Sequence, residues 1–499
     1  GARTFANCTS LVNFTLPNGL ESVGAGAFEN TGFNPSSRAL APSGDVVIEN
    51  GAIYSQDKKV LIHYSGTAQS FTVPATVEKI GSYAFANSSV TSVTLPASLK
   101  EIGEGAFSGS NLNTIVWNGT VTEIAPYTFS NTKLTSVTLP NTITFVGDSA
   151  FADCRDLTGF NYNPLAENVG FGSSVFSGCI SLENISLDKK ITTIGDTTFF
   201  GCVELKTAVM PAVTSLGSYT FFNTPALTTV TFDADATVTG EYTFAAHGVD
   251  YAVENFPANR PNLTSVTLGN SLKEIGAGAF FNCTGLSSVN LNGATVVGNY
   301  AFYGANRLST ATGLDSVVTV GNYAFANCNF STLELSAAKS IGDLAFISEN
   351  SRSYTAINIP VVQTVGERAF YGNNATQVNI PASAQSIGGG AFGASQIKQF
   401  TVDPANTEFF VNEGVLYRNV GDKGYFALTA FPSAKAISEY RVIDNTAKID
   451  ARAFQGQRGK INKIILPFEL KEIGVMAFFQ SGITVYEFMG VTAPVLQEE

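Results

Sequence analysis

The sequence predicts a repeat solenoid, mostly β with short helical or 3-10 turns and little regular helix, and three observations carry that prediction. Phe preceded by a small residue recurs as an anchor from Phe5 and Phe28, through Phe85, Phe107, Phe129, Phe151 and Phe176, to Phe454 and Phe478, most often 21 to 25 residues apart. Gly stands four residues before the Phe in sixteen of eighteen units, Ala125 and Asp450 being the exceptions. An L-x-x-V-x-L-P segment lies between anchors, clearest as Leu134 to Pro140.

Each part of the unit has a physical reason. The last two apolar residues of L-x-x-V-x-L fall at the period of two that a strand requires, and the following Pro stops the ladder. The second half, as in Leu99-Lys-Glu-Ile-Gly103, carries the chain across the far side. A Gly copied from unit to unit marks a position where φ is positive or two backbones pass closely. One unit buries too few apolar side chains to stand alone, so stability comes from stacking on neighbours. The 499 residues carry no linker composition, so one array of about 18 units over 1–499 is expected.

Two anchor intervals are long: Phe28 to Phe85 and Phe392 to Phe454. Ile48 to Tyr54 parallels Val411 to Tyr417, and Leu61 to Tyr64 parallels Leu428 to Phe431, so residues 33–78 and 398–447 read as β-hairpins built into the array. A loop insertion is expected over 245–260, where Phe244 to Phe280 carries about 13 extra residues. Gly1 falls in phase with the repeat and no signal peptide or cap precedes it, so the sequence reads as a fragment. Residues 483–499 lose the Gly and Phe signals and read as the end of the array.

The unit L-x-x-V-x-L-P-x-x-L-x-x-I-G-x-x-A-F-x-x-C resembles the BspA-like, or Treponema pallidum-type, leucine-rich repeat. Leu263 to Cys283 departs from that pattern only at Gly269. The resemblance implies a right-handed leucine-rich repeat horseshoe with parallel strands on its concave side, carried by secreted or surface-attached proteins of host-associated bacteria and some parasitic protists. It also implies adhesion, including binding of fibronectin and fibrinogen.

Composition excludes other classes. Charged residues are 14% of the chain and the net charge is -12, without the Lys/Arg clusters that phosphate backbones demand, so no nucleic-acid partner is expected. No run of about 20 apolar residues occurs, so no membrane insertion of this segment is expected. His63 and His247 lack partner signatures, and neither a nucleophile elbow, an H-E-x-x-H pair nor a phosphate loop is present, so no enzyme, metal or cofactor is expected. Cys8, Cys154, Cys179, Cys202, Cys283 and Cys328 all lie three residues after an anchor Phe. Ser, Thr or another small residue usually fills that slot elsewhere, as at Ser88, Ser110, Thr132, Thr224 and Ala305, so it reads as a position for a small side chain with the thiol incidental.

The strand residues flanking the second apolar position should face outward. They give a hydroxyl-rich, nearly uncharged surface: Thr135, Ser136 and Thr138; Thr228, Thr229 and Thr231; Thr264, Ser265 and Thr267; Ser287, Ser288 and Asn290. The insertion adds His247, Tyr251, Phe256 and Arg260, and the one tryptophan, Trp117, occupies an inward Leu slot. The expected protein is a monomeric, extracellular or cell-surface module that binds host extracellular protein. A glycan-binding module and a passive spacer for another domain are the alternatives.

Overall fold

The computed structural model describes residues 1, 3–12, 24, 26–29, 31, 46–232, 238–245, 262–268, 273–291, 293–348, 354–421, 424–457 and 461–497. They form two compact units, 1–247 with 252–267 and 248–251 with 268–499. Each is a β-solenoid. The one helix among the described residues is a 3-10 turn at Leu314–Ser316.

Among the described residues, turn after turn contributes a short strand from its L-x-x-V-x-L segment. Ser70–Thr72, Ser92–Thr94 and Thr114–Val116 pair in parallel, as do Asn184–Ser186, Thr207–Val209, Thr229–Thr231 and Ser265–Thr267. A second ladder of two-residue strands runs along the opposite side, for example Glu123–Ile124 with Phe145–Val146 and Thr319–Val320 with Ser340–Ile341. Between the ladders the anchor phenylalanines stack ring on ring. Centroids lie 5.4 Å apart for Phe107 and Phe129 and 5.1 Å apart for Phe302 and Phe325, with planes within 5°. All four rings are buried, so each turn covers its apolar face with the next.

The recurrent Gly serves close approach and not positive φ. A Cβ on Gly103 would sit 2.5 Å from the amide nitrogen of Ser82, and one on Gly195 would sit 2.6 Å from the backbone of Gly172. The left-handed residues stand elsewhere, two before and two after the Phe: Tyr83 and Asn87 flank Phe85, and Tyr127 and Asn131 flank Phe129. Asn, Asp and Gly tolerate that conformation best, and they fill the second position at Asn87, Gly109, Asn131, Asp153 and Gly178.

Both long intervals hold three strands and two tight turns, where the sequence suggests a single hairpin. Val46–Glu49, Ala52–Ser55 and Val60–Tyr64 run antiparallel in succession, and so do Phe409–Asn412, Val415–Val420 and Tyr425–Ala430. The first turn of each is Asn50-Gly51 or Glu413-Gly414, with both residues at positive φ, the geometry that matches strand twist in a two-residue connection. The third strand then joins the solenoid in parallel. Tyr64 meets Phe85 at a tilt, centroids 5.1 Å apart, and Phe431 stacks on Phe454 at 5.0 Å, so each insertion supplies the anchor ring of a turn. Asp450, in a Gly position, has a carboxylate that accepts from Arg418 Nε and Nη2, each at 2.8 Å, and from the Thr429 hydroxyl at 3.1 Å.

Ala125, the other exception, coincides with a break. Glu101–Ile102 and Glu123–Ile124 do not pair, although each pairs with its other neighbour. On the opposite side of the same turn, Thr114–Val116 does not pair with Ser136–Thr138. A methyl at Ala125 occupies the space in which Gly103 and Gly147 admit the preceding backbone, at 2.5 Å and 2.8 Å from where a Cβ would be, and the ladder opens there.

Candidate functional site

The outward strand residues form the surface that alternation requires. Ser136–Thr138, Asn184–Ser186 and Ser265–Thr267 each show an exposed, buried, exposed pattern around Val137, Ile185 and Val266. Thr135, Thr264, Ser287 and Ser288 are exposed, and Thr228, Thr229, Thr231 and Asn290 are half-buried beside neighbouring turns. The hydroxyls are partly engaged along the ladder: Thr228 Oγ1 donates to Lys206 O at 3.1 Å and Thr264 Oγ1 to Thr228 O at 3.2 Å. Parallel register holds Thr229 opposite Ser265 and Thr231 opposite Thr267. His247, Tyr251, Phe256 and Arg260 lie outside the described residues.

At the break this surface deepens into a groove of about 610 Å³, lined by Asn113, Thr114, Val116, Trp117, Asn118, Thr135, Ser136, Thr138 and Pro140 among others. Trp117 stands where Leu95 and Leu139 are buried in neighbouring turns. Its ring meets Phe129 edge-on at 6.0 Å, and its Nε1 is buried without an acceptor. Asn118 donates its side-chain amide to Leu95 O at 2.9 Å, satisfying the preceding turn.

His63 and the cysteines are built into the core. His63 is buried beside Phe28 with its Nε2 unpartnered, and burial pushes its pKa down to about 4. All six thiols are free, and only Cys8 is exposed. The thiol is not incidental: Cys154, Cys179 and Cys202 donate to the carbonyls of Phe129, Phe151 and Phe176 at 3.0 Å, 3.2 Å and 3.1 Å, each in the preceding turn. Thr132 and Thr224 use their hydroxyls on the anchor carbonyl of their own turn, at 2.9 Å and 2.6 Å. Where a thiol or hydroxyl fills the slot it acts as a donor as well as a small side chain. Among the described residues no cluster of three His, Cys, Asp or Glu side chains could hold a metal, and no helix is long and apolar enough to cross a membrane.

A coil of 21-to-25-residue turns, with a parallel strand on one side and a stacked Phe inside, defines a leucine-rich repeat solenoid. The BspA-type leucine-rich repeat region model matches six times, over residues 1–54, 61–170, 169–250, 254–346, 295–413 and 425–492. The chain belongs to that family. A Bacteroides ovatus leucine-rich repeat protein is 20% identical, with 89% of this chain and 98% of that one covered and a TM-score of 0.46. The pneumococcal vaccine antigen PcpA is 16% identical over 72% of this chain and 98% of its own, with a TM-score of 0.39. A T. pallidum leucine-rich repeat protein is 20% identical over 47% of this chain and 86% of its own, with a TM-score of 0.29. No curated protein matches.

Proposed function

We propose that this chain is a non-enzymatic extracellular or cell-surface module that binds host extracellular protein, matrix proteins included, through its strand face. The supporting observation is the face itself: hydroxyl and amide side chains, nearly free of charge, repeated in register from turn to turn. It lacks the clustered Trp, Tyr and Arg that anchor tight interfaces, so each contact is weak and repetition supplies the affinity. Family membership supports interaction as the role, since such solenoids offer long surfaces to partners.

The test is binding of the purified chain to immobilised fibronectin, fibrinogen, mucin and a glycan panel. Two variants accompany it: Thr229→Glu with Thr231→Glu, Ser265→Glu and Thr267→Glu, and a chain in which residues 247–260 are replaced by a short turn. Saturable protein binding, weakened at least about tenfold by the four glutamates, is the expected result and corresponds to a loss of ~1.4 kcal/mol. Loss only in the shortened chain moves the site to the insertion. Binding that is competed by free sugar and lost on deglycosylation replaces this reading with a lectin, and no binding at all leaves a spacer.

A further inference from the structure

We propose that the break between Thr114–Val116 and Ser136–Thr138 is a docking slot for an extended, uncharged peptide segment of a partner protein, whose main chain pairs with the open strands beside Trp117. The proposal rests on the protein-binding reading above and gives it a place and a mode.

The open ladder is the first argument. Asn113 and Thr114 donate their backbone N–H groups to Thr91 O at 2.9 Å and 3.1 Å, and Leu95 donates to Val116 O at 2.9 Å. One turn further on, Thr135, Ser136 and Trp117 make no counterpart bonds across the break. Two parallel edges therefore face each other with unpaired donors and acceptors, the template on which an added strand binds. Asn113, Thr114, Val116, Thr135, Ser136 and Thr138 are all exposed, so a peptide displaces only water.

The second argument is that both ladders open together at this junction, with no insertion at hand, whereas between Gly159–Asn161 and Asn184–Ser186, Thr310–Thr312 and Leu333–Glu334, and Ile357–Asn358 and Gln377–Ile380 only the strand face is unpaired. Phe107, Phe129 and Phe151 are evenly spaced 22 residues apart. The two turns stay joined elsewhere, by Gly105 N–H on Pro126 O and Lys133 N–H on Leu112 O, each at 2.9 Å; here Ala125 stands in a Gly position on one side, and on the other the indole of Trp117 fills a position where neighbouring turns bury Leu95 and Leu139. The buried, acceptorless Nε1 of Trp117 costs about 1–3 kcal/mol that a Leu would not. Positions where a sequence breaks its own local rule against stability are where function is to be sought.

The lining selects the occupant. Asn113, Thr114, Asn118, Thr135, Ser136 and Thr138 are neutral donors and acceptors, and no charged side chain lines the groove. A charged peptide would leave its charge unpaired there. A neutral oligosaccharide could use the hydroxyls and amides, but it would not answer two rows of main-chain groups at strand spacing.

Trp117 is the only tryptophan of the chain, so its emission reads the slot directly. The full chain is titrated with a synthetic, end-blocked peptide of the repeat strand, Leu-Thr-Ser-Val-Thr-Leu-Pro, with the same peptide N-methylated at alternate residues, and with an N-acetylglucosamine trimer. A saturable shift of Trp117 emission with the peptide, weakened at least about tenfold by N-methylation, is expected. Fluorescein-labelled peptide should lose its anisotropy signal with Trp117→Leu, a variant that melts no lower than the parent because Leu removes the orphaned indole N–H. No shift, an equal response to the N-methylated peptide, or a response to the trimer alone overturns the proposal, and none of these readouts depends on that variant folding. Matrix-protein capture that persists without a peptide response overturns the slot alone. Loss of both overturns the protein-binding reading as well.

Discussion

A glycine four residues before each phenylalanine was legible as a geometric demand, but which demand it answers was not. Only three-dimensional stacking shows the preceding backbone within 2.5 Å of the missing Cβ at Gly103. Positive φ instead falls at Asn87, Asn131 and their equivalents, whose Asn, Asp and Gly content was itself a readable signal. The Cys slot was legible as small, whereas its donor role depends on a carbonyl one turn away. Burial pushes the Cys154 thiol up to about 11 and that of Cys202 to about 12, so neither forms thiolate at neutral pH. A thiol reagent should therefore modify Cys8 alone in the native chain and all six cysteines in denaturant, which stoichiometry by absorbance will check.

His63 carries a pH dependence at the same scale. Its folded pKa of about 4 lies below the ordinary 6.5, so on acidification the unfolded chain takes up the proton first. Stability is intact above about pH 6.5 and falls as pH drops towards 4, by roughly 3 kcal/mol at about 1.4 kcal/mol per unit. Urea midpoints at pH 7 and pH 4.5 should diverge in the parent, and His63→Leu should narrow that gap.

At the scale of elements, strand, Pro stop and anchor ring were read correctly because each is local in sequence. The insertions were read one turn short. Asn50-Gly51 is a strong hairpin signal by itself, yet it sits inside Ile48 to Tyr54, which alternates like a single arm. The break at Ala125 was visible as an exception, but its consequence needed the packing of three successive turns. Gly195→Ala should lower stability by about 1–3 kcal/mol, since its Cβ meets backbone at 2.6 Å that no side-chain rotation can relieve. Circular dichroism in urea will measure it, and an unchanged midpoint would contradict the close-approach account.

Across the whole chain, stability is the sum of contacts between adjacent turns, and it should fade where a turn buries least. Val485–Phe488 is exposed at every residue, whereas the rings of Phe151, Phe176 and Phe199 are fully buried. Hydrogen exchange followed by mass spectrometry should therefore show residues 485–497 exchanging well before the turns around Phe151 and Phe176. Equal protection would mean that the whole chain unfolds as one block. The candidate strand face was legible because alternation places Ser136 and Thr138 outward without further information, while the groove beside it was not, because it arises where the strands of two stacked turns fail to pair.

The stacked phenylalanine column has an evolutionary corollary. Duplicating or deleting one whole turn of genetic sequence leaves every ring against another ring and every glycine against a backbone, so such recombinants inherit a working interior. Chain length can then drift in quanta of one turn while the internal slots resist single-residue change. A lineage can in this way lengthen or shorten the solenoid far faster than it can rewrite the core that holds it together.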